Sequence, residues 1–190
     1  MRFLLAALAA HLVWAAPVAA ADTIVLVAKR QLQDQLYAST IIVAKPVGAA
    51  RHVGFIVNKP TKTTLGKLFP NHPPSQKVTE PVYLGGPLSS EVIFALVQRR
   101  ESPGGRSVRI APDLFLAMDS EVVDRIIETE PAQARFLAGL VMWRPGELHD
   151  ELRRGLWYVL DERADALLRR PAQGLWELLV GRSERKANTI

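Results

Sequence analysis

Thr23-Ile-Val-Leu-Val-Ala28 is an unbroken aliphatic run rich in β-branched residues. Such side chains are stiff about their first torsion and pack well on a pleated surface, so the run predicts a buried strand. Short segments of the same kind recur. Strands are expected at Ser39–Ala44, His52–Asn58, Pro81–Leu84, Val92–Val97, Val108–Ile110, Leu114–Met118 and Leu156–Leu160, and Ala134–Val141, which periodicity alone allows as strand or helix, is read as a strand. Breakers delimit them. Pro46-Val-Gly48 ends the second, and Pro60 is expected to close the third because proline cannot donate to a ladder. Residues 71–80 and 101–106, rich in Pro, Gly and polar residues, read as loops.

Helices are expected between these strands. Gln31–Tyr37 suits a helical turn, and Thr64 suits the N-cap of a short helix ending at Phe69. Asp119 or Ser120 caps a helix through Glu128, in which Val122, Val123, Ile126 and Ile127 share one face. Pro145–Arg154, Ala164–Leu168 and Leu175–Val180 follow. The order repeats no βα unit, which predicts an α+β (mixed α/β) domain. Its core is a mostly antiparallel central sheet of about eight short strands with flanking helices. The chain's 190 residues fit one such domain spanning residues 22–190.

The first 21 residues are different in kind. Met1-Arg2 precedes an apolar stretch from Phe3 to Ala16, broken by His11, and Ala19-Ala20-Ala21 places small residues at −3 and −1. This is the layout of a secretory signal peptide cut before Asp22, so a periplasmic or secreted protein is expected. A mis-assigned start before a cytoplasmic protein is the alternative. No later segment is continuously apolar enough to span a bilayer. There are no cysteines, which excludes disulfides, thiol catalysis and cysteine–metal sites. The formal net charge of +5 is spread as short Arg pairs without interleaved aromatics, so a nucleic-acid partner is not expected of an exported chain.

Residues 139–157 hold the densest collection of unusual side chains. Pro145 reads as the first helical residue, acids crowd the helix start, Arg153 and Arg154 its end, and Gly155 a left-handed terminus. Trp143 and Trp157 flank the helix and are expected to pack its ends on the core. His149 sits at the border of the apolar face. Glu147 and Glu151 share a face and could share a proton or bind a cation, though exposed like-charged pairs on helices are common. No HExxH zinc spacing surrounds them, and no metal, cofactor or catalytic residue is assigned. Gly85-Gly86-Pro87 reads as a sharp turn using positive φ, with a thin anion nest as the alternative. Asn58-Lys59-Pro60 reads as a strand end. Asn58, Gly85, Gly86, Trp143, Glu147, His149 and Glu151 therefore form the candidate surface for an unidentified protein or small ligand.

Four blocks occur in order: Gly54-Phe-Ile-Val-Asn58-Lys-Pro60; Val82-Tyr-Leu-Gly85-Gly86-Pro87; Arg135-Phe-Leu-Ala-Gly139; and Trp143-Arg-Pro145-Gly146-Glu-Leu148 running to Gly155-Leu-Trp157. Together they resemble the YqgE/AlgH family over nearly the whole chain after the leader. The resemblance implies a compact mixed α/β domain with a central sheet, and no agreed catalytic residues. It also implies, for some members, regulation of exopolysaccharide genes by a cytosolic protein. The chain departs from the family in carrying Met142, Arg144 and Glu147 where Gly, Gly and Gln are usual, and in its leader. The expected function is a non-catalytic binding module. Its alternatives are a transcriptional regulator and a carboxylate- or metal-assisted hydrolase using Glu147, Glu151 and His149.

Overall fold

The run Ile24-Val-Leu-Val-Ala28 forms strand β1, and the reason it has no polar residue is that both its faces are covered. Val25 and Val27 enter one apolar cluster, while Leu26 and Ala28 enter another on the opposite face. A half-solvated strand would alternate; a strand between two layers reads as continuous apolar sequence. The computed structural model describes residues 23–160, Ala164 and residues 171–187. The signal peptide expected over residues 1–21 and most of the helix expected at Ala164–Leu168 lie outside the described residues.

The remaining strands are β2 (Ile41–Pro46), β3 (His52–Ile56), β4 (Pro60–Thr64), β5 (Pro81–Leu84), β6 (Leu88–Gln98), β7 (Ser107–Ala111), β8 (Leu114–Ala117), β9 (Ala134–Trp143) and β10 (Trp157–Leu160). They join in the order β10-β1-β2-β3-β9-β6-β8-β7, with β4 on β5 and β5 on β9. Every pairing is antiparallel except β5 with β9. The helices are α1 (Leu65–Leu68), α2 (Pro73–Gln76), α3 (Ser120–Thr129), α4 (Glu147–Arg153) and α5 (Leu175–Ala187). The result is one α+β domain built on an antiparallel sheet, as expected.

Three apolar clusters hold it together. One lies on the sheet face covered by α5, where Leu175, Leu179 and Val180 meet Val27, Phe55 and Leu96. A second lies under α3, whose Val122, Val123, Ile126 and Ile127 pack on Ala95, Val97 and Phe115. The third lies under α4, where Leu148 meets Trp143 and Trp157. Asp119 caps α3, its carboxylate accepting from the Glu121 amide.

Several local expectations are corrected. Pro60 does not merely close β3; it begins β4, an outer strand whose first residue needs no ladder donor. The loop at residues 71–80 contains α2. Pro145 is not the first helical residue: Arg144 to Glu147 form a type II turn, closed by the Glu147 amide on the Arg144 carbonyl at 3.1 Å, and Gly146 takes φ 83° before α4 begins. Gly155 does end α4 with φ 69°, as its position predicts.

Gly85 and Gly86 are not used for positive φ. A Cβ on Gly85 would sit 2.2 Å from the Gly139 carbonyl oxygen, and one on Gly86 2.2 Å from the Leu140 carbonyl. They allow the β5–β6 connection to cross β9 at backbone contact. Gly139 itself has φ 76°, and residues 89–92 of β6 bulge opposite it between the pairs Leu88–Leu140 and Ile93–Ala138. Before Gly139, Leu137 points to the α5 side and Phe136 away from it; after it, Leu140 points to the α5 side and Val141 and Trp143 away. The inward parity of β9 changes at this glycine.

Steric contact and backbone strain can be separated by two substitutions. Gly86→Ala adds only a clash and is expected to cost about 3 kcal/mol, the upper range for overpacking. Gly104, at φ 89° with no atom near its missing Cβ, should lose only about 1 kcal/mol on substitution by Ala. Urea denaturation of both variants checks the order; a larger loss for Gly104→Ala contradicts the close crossing.

Candidate functional site

Trp143 ends β9 with its indole against Gly54 of β3, where a Cβ would stand 2.6 Å from the ring. Trp157 opens β10, at the outer edge beyond β1. Both are buried, at 3% and 5% exposure, so each indole N–H needs an acceptor. One atom serves both. Glu151 Oε2 accepts from Trp143 Nε1 at 3.1 Å and from Trp157 Nε1 at 2.8 Å. The acid on α4 thus ties the helix to two strands far apart in the sheet order.

Tyr37 completes this corner. Asp34 Oδ1 accepts from the Leu36 and Tyr37 amides, shaping the turn that brings the Tyr37 ring edge-on to Trp157 at 6.4 Å. Burial pushes the Tyr37 phenol above its ordinary value, and the carboxylates of Glu151, Asp34 and Glu147 push the same way. Glu147 Oε2 is engaged by the Arg144 amide at 2.8 Å. His149 is exposed and makes no hydrogen bond or ion pair among the described residues.

The other predicted residues lie elsewhere. Asn58, 8% exposed, accepts from the Ile41 amide at 2.7 Å and donates to the Ser39 carbonyl at 2.9 Å. It holds the entry to β2, where Ser39 adopts φ 58°. Gly85 joins β3 to β9: its N–H donates to the Ala138 carbonyl and its own carbonyl accepts from Ile56, both at 2.8 Å. Of the seven candidates, the structure brings Trp143, Glu147 and Glu151 to one corner around Tyr37. Asn58, Gly85 and Gly86 are consumed by the backbone. Among the described residues no group of three or more His, Asp or Glu is disposed to hold a metal ion.

One recess was missed by sequence reasoning. It is a cleft of ≈ 660 Å³ between the start of β9, the β4–β5 pair and residues 171–173. Leu96, Leu114 and Phe136 contribute apolar walls, and Glu80, Gln133 and Gln173 polar ones. Arg135 lies in it, Nη1 donating to the Val57 carbonyl at 2.7 Å and the guanidinium 4.5 Å from the Tyr83 ring centroid. Burial lowers its proton affinity, while Tyr83 and Glu80 act in the opposite direction. Arginine nevertheless stays charged in proteins, so the cleft carries a fixed cation. The available signal was a lone charge in the otherwise apolar strand Ala134–Trp143.

Two measurements check the Tyr37 corner. Glu151→Ala leaves two indole donors without their acceptor and should cost about 2 kcal/mol; an unchanged urea midpoint refutes the shared acceptor. Because the folded phenol has the raised pKa, its contribution to stability is present below about pH 10 and is lost as pH rises through the folded value. Ultraviolet titration should show one late-ionising phenol, absent in Tyr37→Phe and earlier in Glu151→Gln. Normal titration of all tyrosines contradicts this.

Comparison with known proteins agrees with this architecture. Residues 25–187 match the family described as AlgH-like, DUF179. A UPF0301 protein of Chlorobaculum tepidum is 25% identical over 158 residues, covering 82% of each chain. One from Coxiella burnetii is 28% identical over 157 residues, covering 80% of this chain and 83% of its own. The solution structure of the AlgH protein from Pseudomonas aeruginosa superposes with a TM-score of 0.69 at 20% identity, covering 85% of this chain and 86% of that one. A crystal structure from Corynebacterium diphtheriae gives 0.67 at 21% identity with the same coverage. These structural likenesses show the fold, and the family match spans nearly every described element. The chain belongs to the AlgH-like (DUF179, UPF0301) family.

Proposed function

We propose that this chain is exported by its leader and acts in the periplasm or outside the cell as a non-catalytic module, binding a small ligand in the Arg135 cleft. The observation that carries the binding reading is the cleft itself. It combines apolar walls with a half-buried cation, several side-chain amides and the carboxylate of Glu80, the composition of a recognition site. Support for the non-catalytic reading comes from the acids of α4. Glu151 spends its oxygen on two indoles and Glu147 on a backbone amide, and His149 stands apart from both. A general acid–base pair needs partners within reach of a reacting atom, and these groups satisfy the fold instead.

Export is supported by the apolar segment Phe3–Ala16 and the small residues before Asp22. A cut after Ala21 leaves every described strand and helix intact, since β1 begins at Ile24. Among the described residues no helix is long and apolar enough to cross a membrane.

Terminal mass spectrometry of the protein from fractionated cells should find Asp22 as the first residue, in the periplasmic or secreted fraction. A cytoplasmic chain beginning at Met1 overturns export. Binding is tested separately, by a fragment screen read through amide shifts in nuclear magnetic resonance. Hits should cluster at residues 80–83, 96–98, 132–136 and 171–173 and vanish in Arg135→Ala. Hits confined to α4, or sustained turnover of a hydrolase substrate, contradict the reading.

A further inference from the structure

The bulge at residues 89–92 has a second consequence, on the side of the sheet away from the Arg135 cleft. It carries Val92 out of the ladder at 37% exposure, next to the paired but exposed Leu88. Beside it, Phe69 at the end of α1 is also exposed, at 41%. Val92 and Phe69, with Ile93, Met118 and the α3 residues Val123 and Ile127, border a groove of ≈ 620 Å³. A bulge that turns aliphatic side chains toward water is a cost unless something covers them, and bulges are frequent where a strand re-aims side chains for a site.

The charges around the groove indicate what covers it. Glu91 and Asp124 line it and make no ion pair among the described residues. Asp119 and Glu128 stand at its margin, the first 3.8 Å from Arg106 and the second 4.0 Å from His72. Of the charged or titratable residues lining the groove, Arg106 is therefore matched by Asp119 and His72 by Glu128, the imidazole also being held at Nδ1 by Ser75 Oγ at 2.7 Å, which leaves the carboxylates of Glu91 and Asp124. Arg125, one position round from Asp124, is exposed but does not line the groove. This is an acidic rim on a chain whose net charge is +5. Complementary potentials steer association and select partners by sign.

We propose that this groove docks a short peptide segment of a partner protein in which apolar residues alternate with lysine or arginine. The apolar side chains enter between Val92 and α3, over Met118 and Phe69, and the cations lie against Glu91 and Asp124. The proposal is independent of the Arg135 cleft, and either stands without the other.

The test is an amide-shift titration of the full mature chain with end-blocked Lys-Leu-Lys-Leu-Lys, with Glu-Leu-Glu-Leu-Glu as the opposite-charge control. The lysine peptide should give saturable shifts confined to residues 69–72, 91–93 and 118–127, weakening in high salt. The double variant Glu91→Lys with Asp124→Lys should weaken binding at least about tenfold, equal to about 1.4 kcal/mol. Glu147→Lys, on a distant helix, should leave it unchanged, and circular dichroism confirms that each variant is folded. Equal binding of the glutamate peptide, absence of saturable shifts, or equal weakening by Glu147→Lys overturns the proposal. Self-association of the free protein in sedimentation, abolished by the same double variant, assigns the groove to a second copy and overturns it as well.

Discussion

Backbone contact between the β5–β6 connection and β9 is the constraint on which the remainder of the molecule depends. Gly85, Gly86 and Gly139 have no side chain because carbonyl groups occupy the space where a Cβ would go. Gly139 additionally turns through positive φ, and in doing so exchanges the two faces of β9. The first half of that strand then belongs to the layer with α3 and the last to the layer with α4, so a single strand serves two separate clusters. In a ten-residue strand of fixed alternation Leu137 and Leu140, three residues apart, could not both face α5 as they do here.

The two ends of β9 acquire different characters from this exchange. At its end, Trp143 is directed under α4, where Gly54 leaves room for the ring and Glu151 receives its N–H together with that of Trp157. Burying two indoles beside a half-buried carboxylate is favourable only because each satisfies the other. At its start, Arg135 enters the cleft and is stacked on Tyr83 of β5, the strand that the crossing brings alongside in parallel. The opposing bulge in β6 carries Val92 to the acidic groove. The indole corner, the Arg135 cleft and the groove beside Val92 are thus all built on β9 and the strands that pair with it.

Much of the architecture was legible from residue patterns. The aliphatic runs, the capped face of α3, and the Pro–Gly punctuation located most strands and helices, because each is governed by local sterics and burial. Gly155 declared its role for the same reason. Pro145 and Pro60 were assigned to the wrong position, since proline's fixed φ suits a turn, a helix start and an outer strand alike. Gly85 and Gly86 were recognised as unusual but for the wrong cause: positive φ and close approach both demand glycine, and only the position of β9, some fifty residues later, distinguishes them. Glu151 read only as sharing a helix face with Glu147, because its partners stand eight residues before and six after it, across a turn that periodicity does not describe. The Arg135 cleft assembles residues from four regions of the chain, and nothing local announces that they meet.

Hydrogen exchange of the indole N–H groups of Trp143, Trp157 and Trp176, followed in the native protein and in Gly139→Ala, tests the central claim most directly. Trp176 donates to the Ala28 carbonyl at 2.8 Å, away from the crossing, and serves as the internal reference. If Gly139 directs Trp143 onto Glu151, the substitution should speed exchange at Trp143 well before Trp176 is affected. Equal protection of all three indoles in the two proteins would show that the face exchange of β9 does not need this glycine, and the account would fail.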